Sequence, residues 1–261
     1  MLAGSSRAQP SSIPSRPPRS PMWAYGRHAA VRAARSALPS RLGRARAESR
    51  AAATAPSGGN TGSTDGRALA DLHRELLELS GDPLEADGGR VVVARGHPHA
   101  RIVCVGEAPG ADEDRVGQPF VGRSGQLLDK VFASVGLDTN QHCYVTNLVK
   151  RRPPENRDPE PHEVAFYLPF VEREIELVDP WIVVLTGRHA MRALLGEERG
   201  ITKVRGEWFE RDGRLYTVMF HPSYLLRLPQ RDPGSPKALT WADIREIRRR
   251  LDERWAQHDS V

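Results

Sequence analysis

Three polar segments each follow a short apolar run that predicts a β-strand. The first reads GEAPGADEDRVGQPFVGRSG and begins at Gly106, the last residue of the run 101–106. The second begins with Asn147 and opens into KRRPPENR, and the third reads HPSYLLR and follows residues 215–220. They supply a carboxylate (Glu107), a carboxamide (Asn147) and an imidazole (His221), groups that position water, recognise polar ligands and stabilise developing charge. Each segment alone is consistent with a turn, a strand end or a capping histidine. Their coincidence is what indicates a site.

The elements around these segments predict an α/β fold. Short apolar, β-branched runs alternate with residues that repeat at helical spacing. The strand-like runs cover residues 101–106, 143–148, 181–187 and 215–220, and DGGRVVVARG before them predicts a hairpin or an edge strand. Continuous apolar strands between helices are typical of a parallel sheet covered on both faces, so we predict three layers, α/β/α, around a mostly parallel four-stranded sheet. Ligands of such sheets bind at the carboxyl ends of the strands, where all three polar segments lie.

Charge divides the chain into a basic tail and a slightly acidic remainder. Residues 1–66 contain ten arginines against two acids, Glu48 and Asp65, a net charge of +8, whereas the whole chain carries +5. The tail is rich in Ser, Pro, Ala and Arg, a composition that predicts disorder, and residues 67–258 form the predicted domain. Any binding of a polyanion by that domain requires a local basic patch, because its summed charge is negative.

The tail leaves two interpretations of where the protein works. Its composition matches an organelle transit peptide, which predicts a chloroplast or a mitochondrion. The strong bias toward arginine over lysine is also typical of a GC-rich coding sequence read upstream of its true start, with Met22 as that start; this interpretation predicts the bacterial cytoplasm. No apolar run reaches about 18 residues, so no membrane span is predicted.

The three segments, in this order, resemble the motifs of the uracil-DNA glycosylase superfamily, most closely those of its family 4. GEAPGADEDRVGQPFVGRSGQLLD is similar to the first family motif, YVTNLVKRRPPENRDP to the central segment and HPSYLLR to the second motif, within residues 67–255. The resemblance implies an enzyme that flips uracil out of DNA and hydrolyses its N-glycosidic bond, leaving an abasic site. We expect a monomer whose partner is uracil-containing DNA, with no contact to a membrane.

Two alternatives to this enzyme stay open. A catalytically weak homologue would bind DNA or a modified base without turnover, but the presence of Phe120, Asn147 and His221 favours turnover. A branch of the superfamily that becomes covalently trapped on uracil-DNA uses a loop histidine, and KRRPPENR contains none. His162 lies further along the chain, at a predicted helix start. The hydrolytic enzyme is therefore the preferred interpretation.

The resemblance assigns the recognition of uracil to a ring and an amide. Phe120 matches the position that stacks on the base, and Asn147 matches the amide that pairs with its polar edge, accepting from N3–H and donating to O4. Cytosine presents the opposite groups there and would leave buried polar atoms unpaired. Gly106 and Ala108 complete the predicted substrate contacts. The structural alternatives are a hydrophobic plug for Phe120 and the closure of a strand end for Asn147.

The resemblance assigns catalysis to His221 and Glu107. His221 matches the second-motif histidine, which donates a hydrogen bond to uracil O2 as the base leaves as an anion. Some branches carry an aspartate where Ala108 stands here, so Glu107 is the nearest carboxylate that can position water or stabilise the cationic sugar. Holding the loop is its alternative role. The neighbouring acids at positions 112–114 are expected to be solvated loop residues.

Basic residues beside the proposed pocket supply the local patch that the charge balance requires. Phosphate contacts there would make the affinity for DNA dependent on salt and tolerant of sequence. Leu225 or Leu226 would enter the duplex in place of the flipped base, although either residue can equally be buried. The predicted DNA-binding residues are Lys150, Arg152, Arg157, Ser223, Leu225 and Arg227, with Arg151 and Arg231 in the same patch.

The sequence departs from family 4 at the iron–sulfur cluster of that family. Four cysteines hold the cluster there, and none of the four matching positions is a cysteine here. These positions are Leu79, Asp82, Arg151 and Tyr167. The two cysteines of the chain, Cys104 and Cys143, lie inside predicted strands and cannot substitute. We therefore predict no metal and no cofactor, with packing around Leu79 and Tyr167 and an ion pair between Asp82 and Arg151 in place of the cluster.

Overall fold

The central sheet has six strands within the part of the chain that the computed structural model describes, residues 61–228 and 232–259. The strands are β1 (Ala94–Gly96), β2 (Ile102–Gly106), β3 (Cys143–Asn147), β4 (Ile182–Thr186), β5 (Trp208–Arg211) and β6 (Arg214–Met219). They lie in the order β1-β3-β2-β4-β6-β5. The four inner strands are parallel to one another, and the two edge strands run antiparallel to their neighbours. The predicted α/β fold is confirmed.

The two edge strands account for the difference from the four strands predicted. β1 lies within the segment expected to form a hairpin or an edge strand. β5 is absent from the prediction, because it is only four residues long and mostly half-exposed, so its apolar pattern is weak. It joins β6 through Asp212 and Gly213, whose φ angles are 52° and 74°. An Asp-Gly pair between two short strands is a strong hairpin signal, and this signal identifies the strand that periodicity misses.

Helices cover both faces of the sheet. They are α1 (Thr61–Leu77), α2 (Ala111–Val116), α3 (Arg123–Ala133), α4 (Thr139–His142), α5 (Pro161–Val178), α6 (Arg188–Leu195), α7 (Ile201–Val204), α8 (Pro222–Leu226) and α9 (Pro236–His258), with short 3₁₀ turns at Glu85–Asp87 and Pro154–Asn156. Val103 and Val105 of β2 pack with α1, α5 and α6, whereas Ile102 and Cys104 pack with α3 and α9. Alternate residues of one strand thus face opposite layers, and the predicted α/β/α order is confirmed.

The parallel register brings the ends of the strands to one edge of the sheet. Gly106, the last residue of β2, pairs with Asn147, the last residue of β3. The backbone N–H of Leu148 then donates to the carbonyl of Gly106, which keeps the two following loops together. His221 comes two residues after β6 and caps α8. The three polar segments of the sequence therefore start side by side.

The predicted division between tail and domain, at residues 66 and 67, falls inside the first described helix. The predicted tail falls outside the described residues up to position 60, as does Arg231. α1 begins at Thr61, within the segment expected to be linker, and α9 ends at His258, where the domain was expected to end. None of the helices described is both long and apolar enough to span a bilayer.

Candidate active site

A pocket of about 380 Å³ opens at the carboxyl edge of the parallel strands. The loops after β2 and β3 and the start of α8 contribute its walls. Its lining includes most of the predicted substrate and catalytic residues and two of the predicted DNA contacts. These are Glu107, Ala108, Phe120, Asn147, His221, Arg157 and Ser223. Motifs that are far apart in the sequence therefore meet around one cavity.

Phe120 and Asn147 both pack against Gly106 at the pocket. A Cβ atom on Gly106 would come within 2.5 Å of the Phe120 ring and would also overlap Asn147 Oδ1, so only glycine fits between them. Both side chains are buried, Phe120 at 6% exposure and Asn147 at 2%. Within the described residues, no hydrogen bond reaches the Asn147 carboxamide. The pocket thus combines an aromatic ring with a carboxamide whose donor and acceptor are both available.

His221 enters the pocket as a neutral imidazole with a defined tautomer. Its Nδ1 accepts from the backbone N–H of Ser223 at 3.2 Å and lies 2.8 Å from the Ser223 hydroxyl. An acceptor Nδ1 leaves the proton on Nε2. Burial is the largest cause that lowers the pKa of His221 to about 4, with smaller contributions from Arg227 and His189. At neutral pH the ring is therefore an uncharged donor, and its centroid lies 6.0 Å from that of Phe120.

Glu107 lies in a small cluster of charged groups at the pocket. Its carboxylate is 3.8 Å from His189 Nε2, which is 3.4 Å from Asp158. Burial, with a smaller contribution from Asp158, raises the pKa of Glu107, while His189 and Arg188 oppose the shift. Arg188 donates to His189 at 3.0 Å and also pairs with Asp158. The cluster therefore sets how readily Glu107 ionises.

Three members of this cluster are missing from the sequence-based site. Arg188 and His189 open α6 one residue after β4, the third of the four parallel strands along the chain, and Asp158 follows the KRRPPENR segment. The same rule that points to the loops after β2, β3 and β6 applies to the loop after β4. The signal was thus present in GRHAM, which follows the apolar run of β4.

The remaining predicted DNA contacts differ in how firmly the protein holds them. Arg227 is exposed. Arg152 is half-buried and donates to Asn156 at 2.8 Å. Arg157 donates to both carboxylate oxygens of Glu163, at 2.6 and 2.9 Å. Arg227 is therefore the least constrained cation of the three, and the other two are oriented by neutral or acidic neighbours.

Two of the predicted DNA contacts are wrong. Lys150 is fully buried, and its Nζ donates to Glu174 and Thr146, each at 2.6 Å. The chain turns inward after Asn147, so the side chain points into the protein and cannot reach a phosphate. Leu225 is also buried, at 2% exposure, because it lies on the inner face of α8. Leu226, the other residue considered as a wedge, is 38% exposed.

Comparison with known proteins identifies the family. The sequence model of the uracil DNA glycosylase superfamily matches residues 93–245, a range that contains every pocket residue described above. The chain belongs to the uracil DNA glycosylase superfamily. The described fold and the convergence of the three motifs agree with this membership.

Several members of the superfamily are similar over most of their own length. The Type-4 uracil-DNA glycosylase of Thermotoga maritima is 42% identical over 165 residues, which cover 59% of this chain and 84% of the relative. The Type-4 enzyme of Archaeoglobus fulgidus is 38% identical over 170 residues, covering 62% and 85%. The Type-5 uracil-DNA glycosylase of Pyrobaculum aerophilum is 34% identical over 154 residues, covering 52% and 67%. Similarity to the Type-4 proteins is thus the greater.

The positions that match the cluster ligands of family 4 converge in the structure. Arg151 Nε donates to Asp82 Oδ2 at 2.8 Å, and the hydroxyl of Tyr167 donates to Asp82 Oδ1. Arg151 also donates to the carbonyls of Gly89 and Leu79, and Leu79 packs with Tyr167 in one small core. The predicted ion pair and packing are confirmed. These residues offer no thiolate, and both Asp82 oxygens are already engaged, so the donor set does not fit an iron–sulfur cluster.

The two cysteines lie elsewhere. Cys104 of β2 and Cys143 of β3 are fully buried in the core beside α3 and α9, the face of the sheet opposite to α1 and α5. Burial raises the pKa of the Cys143 thiol, which keeps it protonated and unreactive. Both cysteines are therefore packing residues.

Proposed function

We propose that this chain is a monofunctional uracil-DNA glycosylase that flips uracil out of DNA, hydrolyses its N-glycosidic bond and leaves an abasic site. The observation that carries the proposal is the meeting of three groups in one pocket: the Phe120 ring, the unpaired carboxamide of Asn147 and the neutral imidazole of His221. These groups match the π-face, the polar edge and the developing charge of a departing uracil.

Recognition of the base rests on Phe120 and Asn147. The ring stacks on the uracil face, and the carboxamide accepts from N3–H and donates to O4. Cytosine would present an acceptor and an amino donor at these two places. Each buried mismatch costs about 1–3 kcal/mol, enough for strong discrimination when both contacts are lost. Gly106 allows the ring and the amide to approach each other, and Ala108 contributes an apolar part of the wall.

Leaving-group stabilisation rests on His221. As the glycosidic bond lengthens, negative charge moves to uracil O2, and Nε2–H of the imidazole donates to it. Because the pKa of His221 is lowered to about 4, the ring is already a neutral imidazole at neutral pH. The remaining Nε2 proton of a neutral imidazole is only very weakly acidic, so it is shared in a hydrogen bond and not transferred, and the base leaves as an anion. A preorganised donor aimed at the developing charge contributes about 3 kcal/mol to such a step.

The attacking water is positioned by Glu107. Ala108 has no group for this role, and the Glu107 carboxylate lines the same pocket. Its ionised form accepts a hydrogen bond from water and stabilises the positive charge on the sugar. Burial raises the pKa of Glu107, so the ionised form is lost at a higher pH than for an exposed glutamate.

Uracil-containing DNA is the partner of this surface. Arg227, Arg152 and Arg157 make phosphate contacts, Ser223 binds next to the pocket, and Leu226 enters the stack where the base has left. Leu226 takes the place assigned to its buried neighbour because its side chain is exposed. The predicted affinity depends on salt and little on sequence.

The chain carries no iron–sulfur cluster in this proposal. The Asp82, Arg151 and Tyr167 contacts hold together the segments that the cluster would otherwise join. Metal analysis of the purified protein tests this point, since about four iron atoms per chain would contradict it.

Excision is tested with a fluorescent oligonucleotide containing one uracil, incubated with the full chain and then treated with alkali. Strand scission at the uracil, absent from matched oligonucleotides with thymine or cytosine, is the expected result. His221→Ala should abolish most of it. Binding of the uracil oligonucleotide by the parent chain without scission would contradict the proposal and leave the catalytically weak homologue.

A further inference from the structure

The Phe120 residue has a backbone conformation that a bulky side chain does not adopt without support. Its φ angle is 55°, in the left-handed region, which is unfavourable for residues other than glycine, asparagine and aspartate. The Phe120 carbonyl packs so closely on Gly125 that a Cβ atom there would overlap it. The position of the ring therefore depends on what fixes the backbone around it.

Glu113 holds the amide side of this backbone. One oxygen of its carboxylate, Oε1, accepts from the N–H groups of Val121 at 2.9 Å and Gly122 at 2.8 Å. The other oxygen, Oε2, accepts from the N–H of Gly110 at 3.1 Å. Glu113 is half-buried at the pocket, so the expectation of a solvated loop acid is wrong for this residue. Its carboxylate joins the two ends of the loop that carries Phe120.

Arg95 holds the carbonyl side of the same backbone. Its Nε donates to the Pro119 carbonyl at 3.0 Å and a terminal nitrogen to the Phe120 carbonyl at 3.5 Å. Its guanidinium is itself fixed by Asp129 at 2.6 Å and Thr139 at 2.9 Å. An anion on the amides and a cation on the carbonyls thus fix the peptide groups on both sides of the ring.

We propose that Glu113, supported by Arg95, is a positioning residue that sets the Phe120 ring against the flipped base and thereby determines the affinity of the pocket for uracil. This inference rests on the proposed function. Charge-assisted hydrogen bonds to backbone N–H groups are strong and directional, and a displacement of about 1 Å at a substrate-positioning group can cost about 10²-fold in rate. Asp112 is the comparison, since it is exposed and, among the residues that the structure describes, its carboxylate pairs with Arg115 alone.

The test uses two DNA probes and the free base. Single-turnover excision from a uracil oligonucleotide reports on the assembled site, and inhibition by free uracil reports on the pocket alone. Affinity for an oligonucleotide with a tetrahydrofuran abasic site reports on the DNA surface without the base. Glu113→Ala should slow excision by about 10- to 100-fold and weaken uracil inhibition, with tetrahydrofuran DNA bound as by the parent chain.

Two further variants serve as an intermediate change and as a control. Glu113→Gln keeps one carbonyl oxygen for Val121 and Gly122 but presents an NH₂ group to Gly110, so its losses should lie between those of the parent chain and Glu113→Ala. Asp112→Asn should behave as the parent chain. If Glu113→Ala does not fold, Arg95→Met removes the carbonyl contacts and should show the same pattern, with uracil inhibition weakened more than tetrahydrofuran binding.

The inference is overturned if Glu113→Ala matches the parent chain in all three measurements. It is also overturned if excision, tetrahydrofuran-DNA binding and uracil inhibition are all weakened equally, as a general loss of structure would cause. Failure of the proposed function looks different, because it is seen in the parent chain itself. If the parent chain binds free uracil without excising it, the affinity for free uracil is measured directly instead of through inhibition. Glu113→Ala must then still bind uracil more weakly than the parent chain. A parent chain that neither excises nor binds uracil overturns both proposals.

Discussion

The pocket and the buried network behind β3 both contain polar side chains, but they differ in how these are paired. In the network, the Lys150 ammonium pairs with Glu174 at 2.6 Å, and the Tyr144 hydroxyl donates to the same carboxylate at 2.9 Å. His73 contacts the Tyr144 hydroxyl at 2.7 Å. In the pocket, Asn147 is almost as buried as Lys150 and yet no described residue bonds its carboxamide. The unpaired Asn147 and the paired Lys150 are only three residues apart in the sequence.

The difference teaches which buried polar groups are structural and which are for a ligand. Buried polar groups in folded proteins are nearly always hydrogen-bonded, because leaving them unpaired is costly. A network that satisfies itself, such as that of Lys150, needs no further partner. An amide that stays unpaired beside an open cavity is instead available to a ligand. Each of the following changes tests one side of this contrast.

The largest effect is expected for Lys150→Met, on stability. Removing the ammonium leaves the Glu174 carboxylate buried without its counter-charge, which costs about 3–5 kcal/mol of unfolding free energy. Urea denaturation measures it, with exposed Lys203 changed to Met as the matched control. Adding Glu174→Leu should recover part of the loss. A Lys150→Met variant that is as stable as the parent chain but binds DNA more weakly would contradict this account. It would indicate that Lys150 contacts a phosphate after all.

His221→Ala should give the next largest effect, on the rate. Single-turnover excision should fall about 10²- to 10³-fold, the scale for one preorganised donor, while affinity for uracil-DNA stays the same. Stability should fall by only about 1 kcal/mol, for the lost cap of α8. His162→Ala, at an exposed histidine, is the control. Unfolding of His221→Ala, or excision at the parent rate, would show that the imidazole is a packing residue.

Tyr167→Phe tests the group that stands where family 4 binds its cluster. The change removes the hydroxyl that donates to Asp82 and should lower the unfolding free energy by about 1.5–3 kcal/mol, the range for a hydrogen bond to a charged group. Excision measured below the unfolding transition should not change, because Tyr167 is absent from the pocket lining. A loss of activity without a loss of stability would contradict this structural role.

The smallest effect is a shift in pH dependence. Excision should fall on acidification as Glu107 is protonated, at a pH above the usual range of a glutamate because burial raises its pKa. His189 lowers this pKa, so His189→Ala should move the acid limb to higher pH. Asp158 raises it, so Asp158→Asn should move the limb to lower pH. Excision rates at pH values well above the acid limb should change little. Shifts of the limb in the same direction in both variants would contradict the role of Glu107.

Much of this arrangement follows from sequence patterns because parallel strands place their ends together. The apolar runs around Cys104, Val145, Val184 and Val218 define the inner strands, and the loops after three of them contain the pocket groups. The ion pair between Asp82 and Arg151 was also predictable, since both occupy positions where family 4 has cluster ligands.

Other features depend on which way a side chain turns after its strand. Lys150 and Arg152 belong to one basic run, but only the structure distinguishes the buried cation from the half-buried one, because Glu174 comes from a distant helix. Glu113 is similar to its acidic neighbours in sequence. Its contact with Gly110 is local to the start of α2, but its other two backbone partners, Val121 and Gly122, are residues that the loop brings back to it. Such pairings are tertiary contacts, and hydrophobic periodicity carries no information about them.

The central claim is that the unpaired Asn147 carboxamide reads the polar edge of uracil, and Asn147→Asp tests it most directly. Single-turnover release of uracil and of cytosine from matched oligonucleotides should be measured for the parent chain and for this variant. The altered side chain can accept from the cytosine amino group but no longer donates to uracil O4, so uracil release should fall by about 10- to 100-fold, for about 1–3 kcal/mol per mispaired group, and preference should shift toward cytosine. Unchanged release of uracil by Asn147→Asp would remove Asn147 from the site and contradict the account.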